Sequence, residues 1–133
     1  VLGIDPGDRR VGFAVSDELG ITAQGLDTFD RKSGIDFFEF VKSLVQRYDV
    51  EEIVVGHPIA LAGHEGESGE KARKLADGLR VHLEVEVTLW DERFSSEEAK
   101  RVLRGRRTRK GVVDKLAAVI ILQSYLDYRG RQD

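Results

Sequence analysis

Six residues, 5–10, separate the first two apolar segments of the chain, and this short spacing constrains the fold more than any other feature. The segments, residues 1–4 and 11–16, are strand-like, and the connection begins with Asp5-Pro6-Gly7-Asp8. A connection this short joins antiparallel strands, because a parallel pair needs a crossover of a dozen or more residues. Proline and glycine at the second and third positions predict a type II turn. A second short connection, residues 17–20, leads to a predicted strand over residues 22–28, so an antiparallel meander is expected.

Helical and strand-like segments alternate after this meander. Ser33-x-x-Asp36 resembles a capping box and predicts a helix that reaches about residue 48. The short apolar segment 53–55 predicts a strand that is covered on both faces. Ser68 is expected to cap the next helix, which ends near residue 83, and residues 84–90 form the fifth predicted strand.

The last part of the chain is predicted to be helical. Ser95-x-x-Glu98 predicts a short helix to residue 103, and residues 112–128 are apolar nearly all round, as in a buried helix. A length of 133 residues suits a single domain. We therefore predict one α/β domain over residues 1–133, with a mixed five-stranded sheet and helices on both faces.

Carboxylates stand where this fold would bring distant segments together. Asp5 ends the first strand, Asp91 and Glu92 follow the fifth, and Asp114 lies in the first turn of the last helix. If the first and fifth strands are parallel, their acids share the sheet edge where ligands gather in open α/β sheets. Clustered carboxylates repel one another unless a cation neutralises them, and an oxygen-only set suits Mg²⁺ or Mn²⁺. Two such ions can activate water to attack a phosphodiester and stabilise the leaving oxygen.

Each acid also has an ordinary structural explanation. Aspartate is favoured at the first position of a turn, which suits Asp5. Asp91 or Glu92 can be plain charge at a strand end, and Asp114 can be an acid that the helix dipole favours. The metal site is therefore indicated by the combination rather than by any one residue.

Basic residues near the acids are candidates for binding a phosphate backbone. Arg9, Arg10 and Arg93 flank the acid-bearing strand ends, and their forked guanidinium groups suit phosphates. Residues 100–110 contain seven basic side chains and no acid. Nucleic-acid contacts are expected from Arg104, Arg106, Arg107, Arg109 and Lys110. The alternative is solvated surface charge or salt bridges to nearby acids, since the net charge of −3 gives no general attraction to a polyanion.

The cysteine content, the lack of a long apolar stretch and the spacing of the histidines each argue against a class of site or location. The chain has no cysteine, which excludes disulfides, thiolate metal sites and cysteine nucleophiles. No apolar stretch approaches the roughly 20 residues of a membrane helix and no signal-peptide pattern is seen, so we expect a cytoplasmic protein without a membrane partner. The three histidines share no metal-ligand spacing, and Trp90 is expected in the core rather than stacked on a base.

Four segments, "GIDPGDRRVGFAVSD", "IVVGHP", "LWDERFSSEEA" and "VVDKLAAVIILQSYLD", closely resemble the YqgF/RuvX family, described as Holliday junction resolvases of bacteria. The resemblance spans essentially the whole chain. It implies a fold similar to ribonuclease H and the RuvC resolvases. It also implies a metal-dependent nuclease that processes the 5′ end of pre-16S rRNA or resolves branched DNA.

The resemblance also assigns site residues. The implied ligands of two Mg²⁺ or Mn²⁺ ions are Asp5, Glu92 and Asp114. Asp91 is either the ligand in place of Glu92 or a residue that supports the ligand. The chain departs from the family at His57 and in the loop "GHEGESGEKA", which puts substrate contacts by that loop in doubt. None of the departures touches the acids.

Two other functions remain open at this stage. A non-catalytic nucleic-acid-binding factor of ribosome assembly would keep the fold without cleaving, and a cleavage assay separates it from the nuclease. An ATP-binding domain of the actin or sugar-kinase type would use Gly3-x-Asp5-x-Gly7 as a phosphate loop, and stabilisation by nucleotide would reveal it. The choice between RNA and DNA, and between monomer and homodimer, is open.

Overall fold

A computed structural model describes residues 1–58, 66–92 and 110–132, with the backbone alone for residues 110–114 and 131–132. A mixed sheet runs in the order β3-β2-β1-β5-β6, and a short strand, β4, pairs with β2 beside this path. The elements in chain order are β1 Leu2–Asp5, β2 Arg10–Ser16, β3 Ala23–Gly25, β4 Phe29–Asp30, α1 Phe37–Arg47, β5 Glu52–His57, α2 Glu67–His82, β6 Glu86–Asp91 and α3 Lys110–Gln132.

The N-terminal strands form the predicted antiparallel meander, but the first turn differs from the prediction. Strand β1 pairs with β2 and β2 pairs with β3, both antiparallel. Gly7 lacks the left-handed φ that a type II turn requires. Glycine is needed there for another reason, because a β-carbon at Gly7 would clash with the carbonyl oxygen of Arg10.

The third predicted strand, residues 22–28, is shorter in the structure, where β3 ends at Gly25. The backbone N–H of Leu26 still donates to the carbonyl of Phe13 at 2.9 Å. The two residues of β4 follow the predicted strand and pair separately with Arg10 and Val11 of β2. With β4 the described sheet has six strands, one more than predicted.

The second half of the sheet is parallel. Strand β5 pairs in parallel with β1 and with β6, and helices α1 and α2 make the crossovers. Parallel strands between helices are covered on both faces, which explains why Ile53, Val54 and Val55 are all buried. The acid-bearing ends of β1 and β6 therefore point in the same direction.

Two predicted helix caps are corrected. Asp36, not Ser33, is the N-cap of α1, and its carboxylate accepts from the backbone N–H of Glu39 at 3.0 Å. The cap of α2 is Gly66, so Ser68 lies inside the first turn. The predicted helix that begins at Ser95 lies outside the described residues.

The core has two layers, one on each face of the sheet. Leu2, Ile4 and Phe13 pack with buried residues of α1 and α2 on one face. On the other face, Ala14 and Val54 pack against α3, as the buried last helix predicted. Gly3 permits this close approach, because a β-carbon there would lie 2.7 Å from Cβ of Leu122. Helices thus cover both faces, and within the described ranges no helix has the length and apolar character to cross a membrane.

Candidate active site

Strand alternation determines the face on which Asp5 lies. Leu2 and Ile4 face α1 and α2, whereas Gly3 contacts α3. Successive residues of a strand point to opposite faces, so Asp5, two residues after Gly3, also lies on the α3 face. Asp5 is half-buried and pairs with Gly12 of β2. The first predicted acid is therefore held at the end of a rigid, central strand.

Glu92 lies on the same face as Asp5. A β-carbon at Gly56 would lie 2.8 Å from Oε1 of Glu92 and 2.6 Å from Cδ1 of Ile121 in α3. Ile4 of β1 is paired with Val55 of β5, so the following residues, Asp5 and Gly56, are neighbours across adjacent strands at roughly 4.8 Å. The structure thus brings Asp5 and Glu92 to the same edge and face of the sheet.

Asp91 lies on the opposite face. Trp90 packs with Ile121 on the α3 face, so the next residue of β6 points toward the side of α1 and α2. Asp91 is paired with His57 of β5 in the parallel register. The two acids of the "DER" segment are therefore separated by the sheet, although sequence alone left both open as partners of Asp5.

The backbone of α3 carries Asp114 toward the same edge. Ala118 and Leu122 approach Gly3, and Asp114 precedes Ala118 by four residues, which is about one helical turn. Ile121 lies beside Gly56 and Tyr125 beside Glu52, so α3 runs antiparallel to β5 and begins at the end where the strand finishes. The helix start therefore stands at the edge that carries Asp5 and Glu92.

The donor chemistry suits a hard divalent cation, although the described side chains do not form a complete site. Among the residues whose side chains the structure describes, no group of three or more histidines and carboxylates is placed to hold a metal ion. The side chain of Asp114 is outside that set. Asp5 and Glu92 supply carboxylate oxygens, and Gly56, which has no side chain, leaves room for the Glu92 carboxylate. These features fit Mg²⁺ or Mn²⁺, which prefer oxygen ligands.

Two of the predicted phosphate-binding arginines lie at this edge. Arg10 alternates with Gly12 and Ala14, so it is on the α3 face together with Asp5. The Nε atom of Arg9 is 3.7 Å from Oδ1 of Asp30, a pairing that the sequence did not predict. The pKa of Asp30 is lowered first by the N–H of Lys32 and further by these two arginines.

The remaining predicted basic contacts are not described. Arg93, Arg104, Arg106, Arg107 and Arg109 lie outside the described residues, and of Lys110 the structure describes the backbone at the start of α3.

The expected core position of Trp90 is confirmed. Its side chain is 8% exposed, and Nε1 donates to Oγ of Ser124 at 3.1 Å. His82 stacks on Phe38 with ring centroids 4.1 Å apart. His57 is half-buried and is paired with Asp91.

Gly56 is a site residue that the sequence analysis did not identify. A glycine inside a buried strand signals close approach by another group, and "IVVGHP" contains that signal.

Comparison with known families gives one match that covers nearly the entire chain. The sequence model described as "RuvX: Holliday junction resolvase" matches residues 1–128. A protein of Halothermothrix orenii is 47% identical over 98% of this chain and 96% of its own length. One from Bacillus cytotoxicus is 48% identical over 96% of this chain and 97% of its own. Both are named "Putative pre-16S rRNA nuclease".

Solved structures with the same fold are resolvases. Thermus thermophilus RuvC, in complex with a Holliday junction substrate, superposes with a TM-score of 0.59 at 18% identity, covering 97% of this chain and 94% of RuvC. The Holliday junction resolvase of fowlpox virus has a TM-score of 0.54 at 11% identity, covering 96% and 97% of the two chains. At these identities the likeness concerns the fold, and it confirms the predicted α/β architecture.

Proposed function

This chain belongs to the RuvX family, and on that premise we propose that it is a nuclease that hydrolyses phosphodiester bonds in structured RNA. The proposed substrate is the 5′ end of pre-16S rRNA, because relatives at 47% and 48% identity carry that name over nearly their full length. The observation that carries the proposal is the convergence of Asp5 and Glu92 on one face of one sheet edge.

The proposed metal ligands are Asp5, Glu92 and Asp114. Pairing with Gly12 holds the backbone of Asp5 in the sheet, and the Glu92 carboxylate lies in the space that Gly56 leaves open. Alternation favours Glu92 over Asp91, because Asp91 faces the other side of the sheet. Two Mg²⁺ or Mn²⁺ ions held there would supply an activated water and neutralise the leaving oxygen.

The protein's own residues would orient the substrate beside these ligands. Arg10 shares the face of Asp5 and is suited to a phosphate oxygen next to the cleaved bond. The basic residues 100–110 lead into α3, whose start is at the acid-bearing edge. The same proposal therefore includes contacts with the nucleic-acid backbone by Arg93, Arg104, Arg106, Arg107, Arg109 and Lys110. They would bind the phosphates of a duplex without reading its bases.

Branched DNA is the second candidate substrate. It is favoured by the fold shared with Thermus thermophilus RuvC, whose structure contains a Holliday junction. A junction with two-fold symmetry would call for a homodimer, whereas RNA processing can be performed by a monomer. One domain over residues 1–133 and a cytoplasmic location are part of the proposal.

Cleavage of both substrates by the wild type and by Asp5→Asn tests the proposal. We expect Mg²⁺-dependent cleavage of an RNA containing the 5′ end of pre-16S rRNA, lost in Asp5→Asn with circular dichroism unchanged. Asp27→Asn, an exposed position in the β3–β4 connection, is the matched control and keeps activity. Cleavage of the four-way junction alone would transfer the proposal to DNA. Binding without cleavage of either substrate would contradict it and favour an assembly factor.

A further inference from the structure

A second feature of the acid-bearing edge is a cleft of about 490 Å³ beside α2. Its lining includes Gly7, Asp8, Arg31, Pro58, Lys71 and Lys74. Gly7 and Asp8 follow Asp5 in the β1–β2 turn, and Pro58 follows His57 at the end of β5. The cleft therefore lies at the same end of the sheet as the candidate active site, but on the opposite face, which α2 covers.

Arg31 is held in place while its terminal nitrogens remain available. Its Nε donates to the carbonyl of Gly7 at 2.8 Å, and its guanidinium carbon is 5.4 Å from the ring centroid of Phe37. Within the part of the chain that the structure describes, no carboxylate forms an ion pair with Arg31. A guanidinium positioned in this way is prepared to bind an anion.

The two lysines of the cleft are paired with exposed carboxylates. Lys71 Nζ is 3.0 Å from Asp8 and 3.5 Å from Glu67, and Lys74 Nζ is 3.3 Å from Glu70. These side chains are at least half exposed, and such surface pairs contribute little to stability. A phosphate can replace a carboxylate on the same ammonium group at small cost.

The described residues of the cleft wall include three cations, Arg31, Lys71 and Lys74, and one acid, Asp8. Glu67 and Glu70 are not among these lining residues but pair with the two lysines, so Arg31 is the cation that no described carboxylate neutralises. The described lining contains no aromatic ring on which a base could stack. The chemistry is that of a site for a phosphate group rather than for a nucleobase.

We propose that this cleft binds a backbone phosphate of the nucleic-acid substrate, away from the bond that is cleaved. The identity of the ligand as a polynucleotide rests on the proposed function. Because the cleft and the acids lie at the same end of the sheet, one nucleic-acid strand that passes over this end could contact both regions. Asp8 then acts as a competitor for Lys71, and its removal should tighten binding.

Salt dependence of binding in EDTA tests the proposal without cleavage. A labelled RNA duplex and a four-way DNA junction are titrated with wild type, Lys71→Gln, Lys74→Gln and the control Lys42→Gln, an exposed lysine of α1. Each cleft variant should reduce the slope of log K against log salt by roughly 0.9 for a lost duplex phosphate contact. The control should retain the wild-type slope.

Asp8→Asn gives the opposite expectation and has its own control. It should bind more tightly than Glu18→Gln, which removes the same charge in the β2–β3 connection at the other end of the sheet. Equal slopes for the cleft and control lysines, equal affinities for the two acid variants, or no binding in EDTA overturn the inference. Cleavage with unchanged slopes refutes the cleft alone, whereas changed slopes without cleavage refute the nuclease alone.

Discussion

The carboxylate of Glu92 occupies space that a side chain at Gly56 would need. A β-carbon at that position would be 2.8 Å from Oε1 of Glu92 and 2.6 Å from Cδ1 of Ile121. Gly56 is buried in β5, which lies between the parallel strands β1 and β6, so its backbone has little freedom to move away. The shape of one strand thus determines where a candidate metal ligand lies.

Replacing Gly56 with alanine should therefore damage both stability and activity. We expect Gly56→Ala to lose about 1–3 kcal/mol in urea unfolding, because the methyl group overpacks against Ile121 and displaces Glu92. Gly130→Ala is the control, since no atom lies within 4 Å of a β-carbon there. It should be neutral or stabilising in its helix. Full activity in Gly56→Ala would show that catalysis does not depend on the position of Glu92.

The opposite faces of Asp91 and Glu92 predict unequal mutational effects. Glu92→Gln should reduce the cleavage rate on the order of 100-fold or more, because it removes a charged ligand at the reacting phosphate. Asp91→Asn should cost about tenfold or less, as expected of a supporting residue. Single-turnover rates at saturating Mg²⁺ measure both. The reverse ranking would assign the ligand to Asp91.

Two substitutions test whether Asp36, as in the structure, or Ser33, as predicted from the sequence, caps α1. Asp36→Ala removes the hydrogen bond from Glu39 N–H and should lower the free energy of unfolding by about 1 kcal/mol. Ser33→Ala affects an exposed hydrogen bond and should change it by less than about 0.5 kcal/mol. Chemical denaturation of both variants decides the matter, and a larger loss in Ser33→Ala would contradict the structure.

Tyr125 should make stability fall at high pH. Its hydroxyl donates to Oε2 of Glu52, and burial together with this bond raises the pKa of Tyr125 to about 12 from 10.0. The stabilisation is fully present below pH 10 and is lost as pH rises toward 12.

Tyr125→Phe should thus cost about 1 kcal/mol at pH 8, a difference that shrinks between pH 10 and 12. Tyr128→Phe, at a residue that is 45% exposed, is the control and should show no such difference. Urea unfolding at several pH values measures it, and a constant difference up to pH 12 would contradict the assigned cause.

The basic segment before α3 should contribute to the salt dependence of binding. Substituting Arg104, Arg106 and Arg107 with glutamine is expected to flatten the slope of log K against log salt by roughly 0.9 for each lost duplex contact. Lys42→Gln with Arg47→Gln on α1 provides a control. An unchanged slope in the arginine variant would show that these residues do not contact the backbone.

Much of the architecture follows from local sequence, and the differences have identifiable causes. The short connection between β1 and β2 correctly predicted an antiparallel pair, because a parallel pair needs a much longer crossover. The caps at Ser33 and Ser68 were wrong because serine also suits turns and first helical turns, so neighbouring Asp36 and Gly66 compete with it. The strand predicted over residues 22–28 was too long, because its glycine and aspartate are poor strand formers and β3 ends at the glycine.

The site was predictable in part. The placement of acids at strand ends identified Asp5 and the pair at 91–92. The choice within that pair depends on strand parity, and a shift of one residue at a strand end reverses it. The cleft was not predictable, because Arg31 and Lys71 are distant in sequence and each is surrounded by residues of mixed charge.

Helix α3 follows every described strand of the sheet along the chain, and this order has a consequence for folding during synthesis. Its 23 residues cover one face of the sheet and, under the proposed assignment, carry the third carboxylate. A nascent polypeptide that still lacks them exposes the apolar surface around Ala14 and Val54 and holds an incomplete ligand set. Competence to cut RNA would then arise only after α3 has been synthesised and has packed against the sheet.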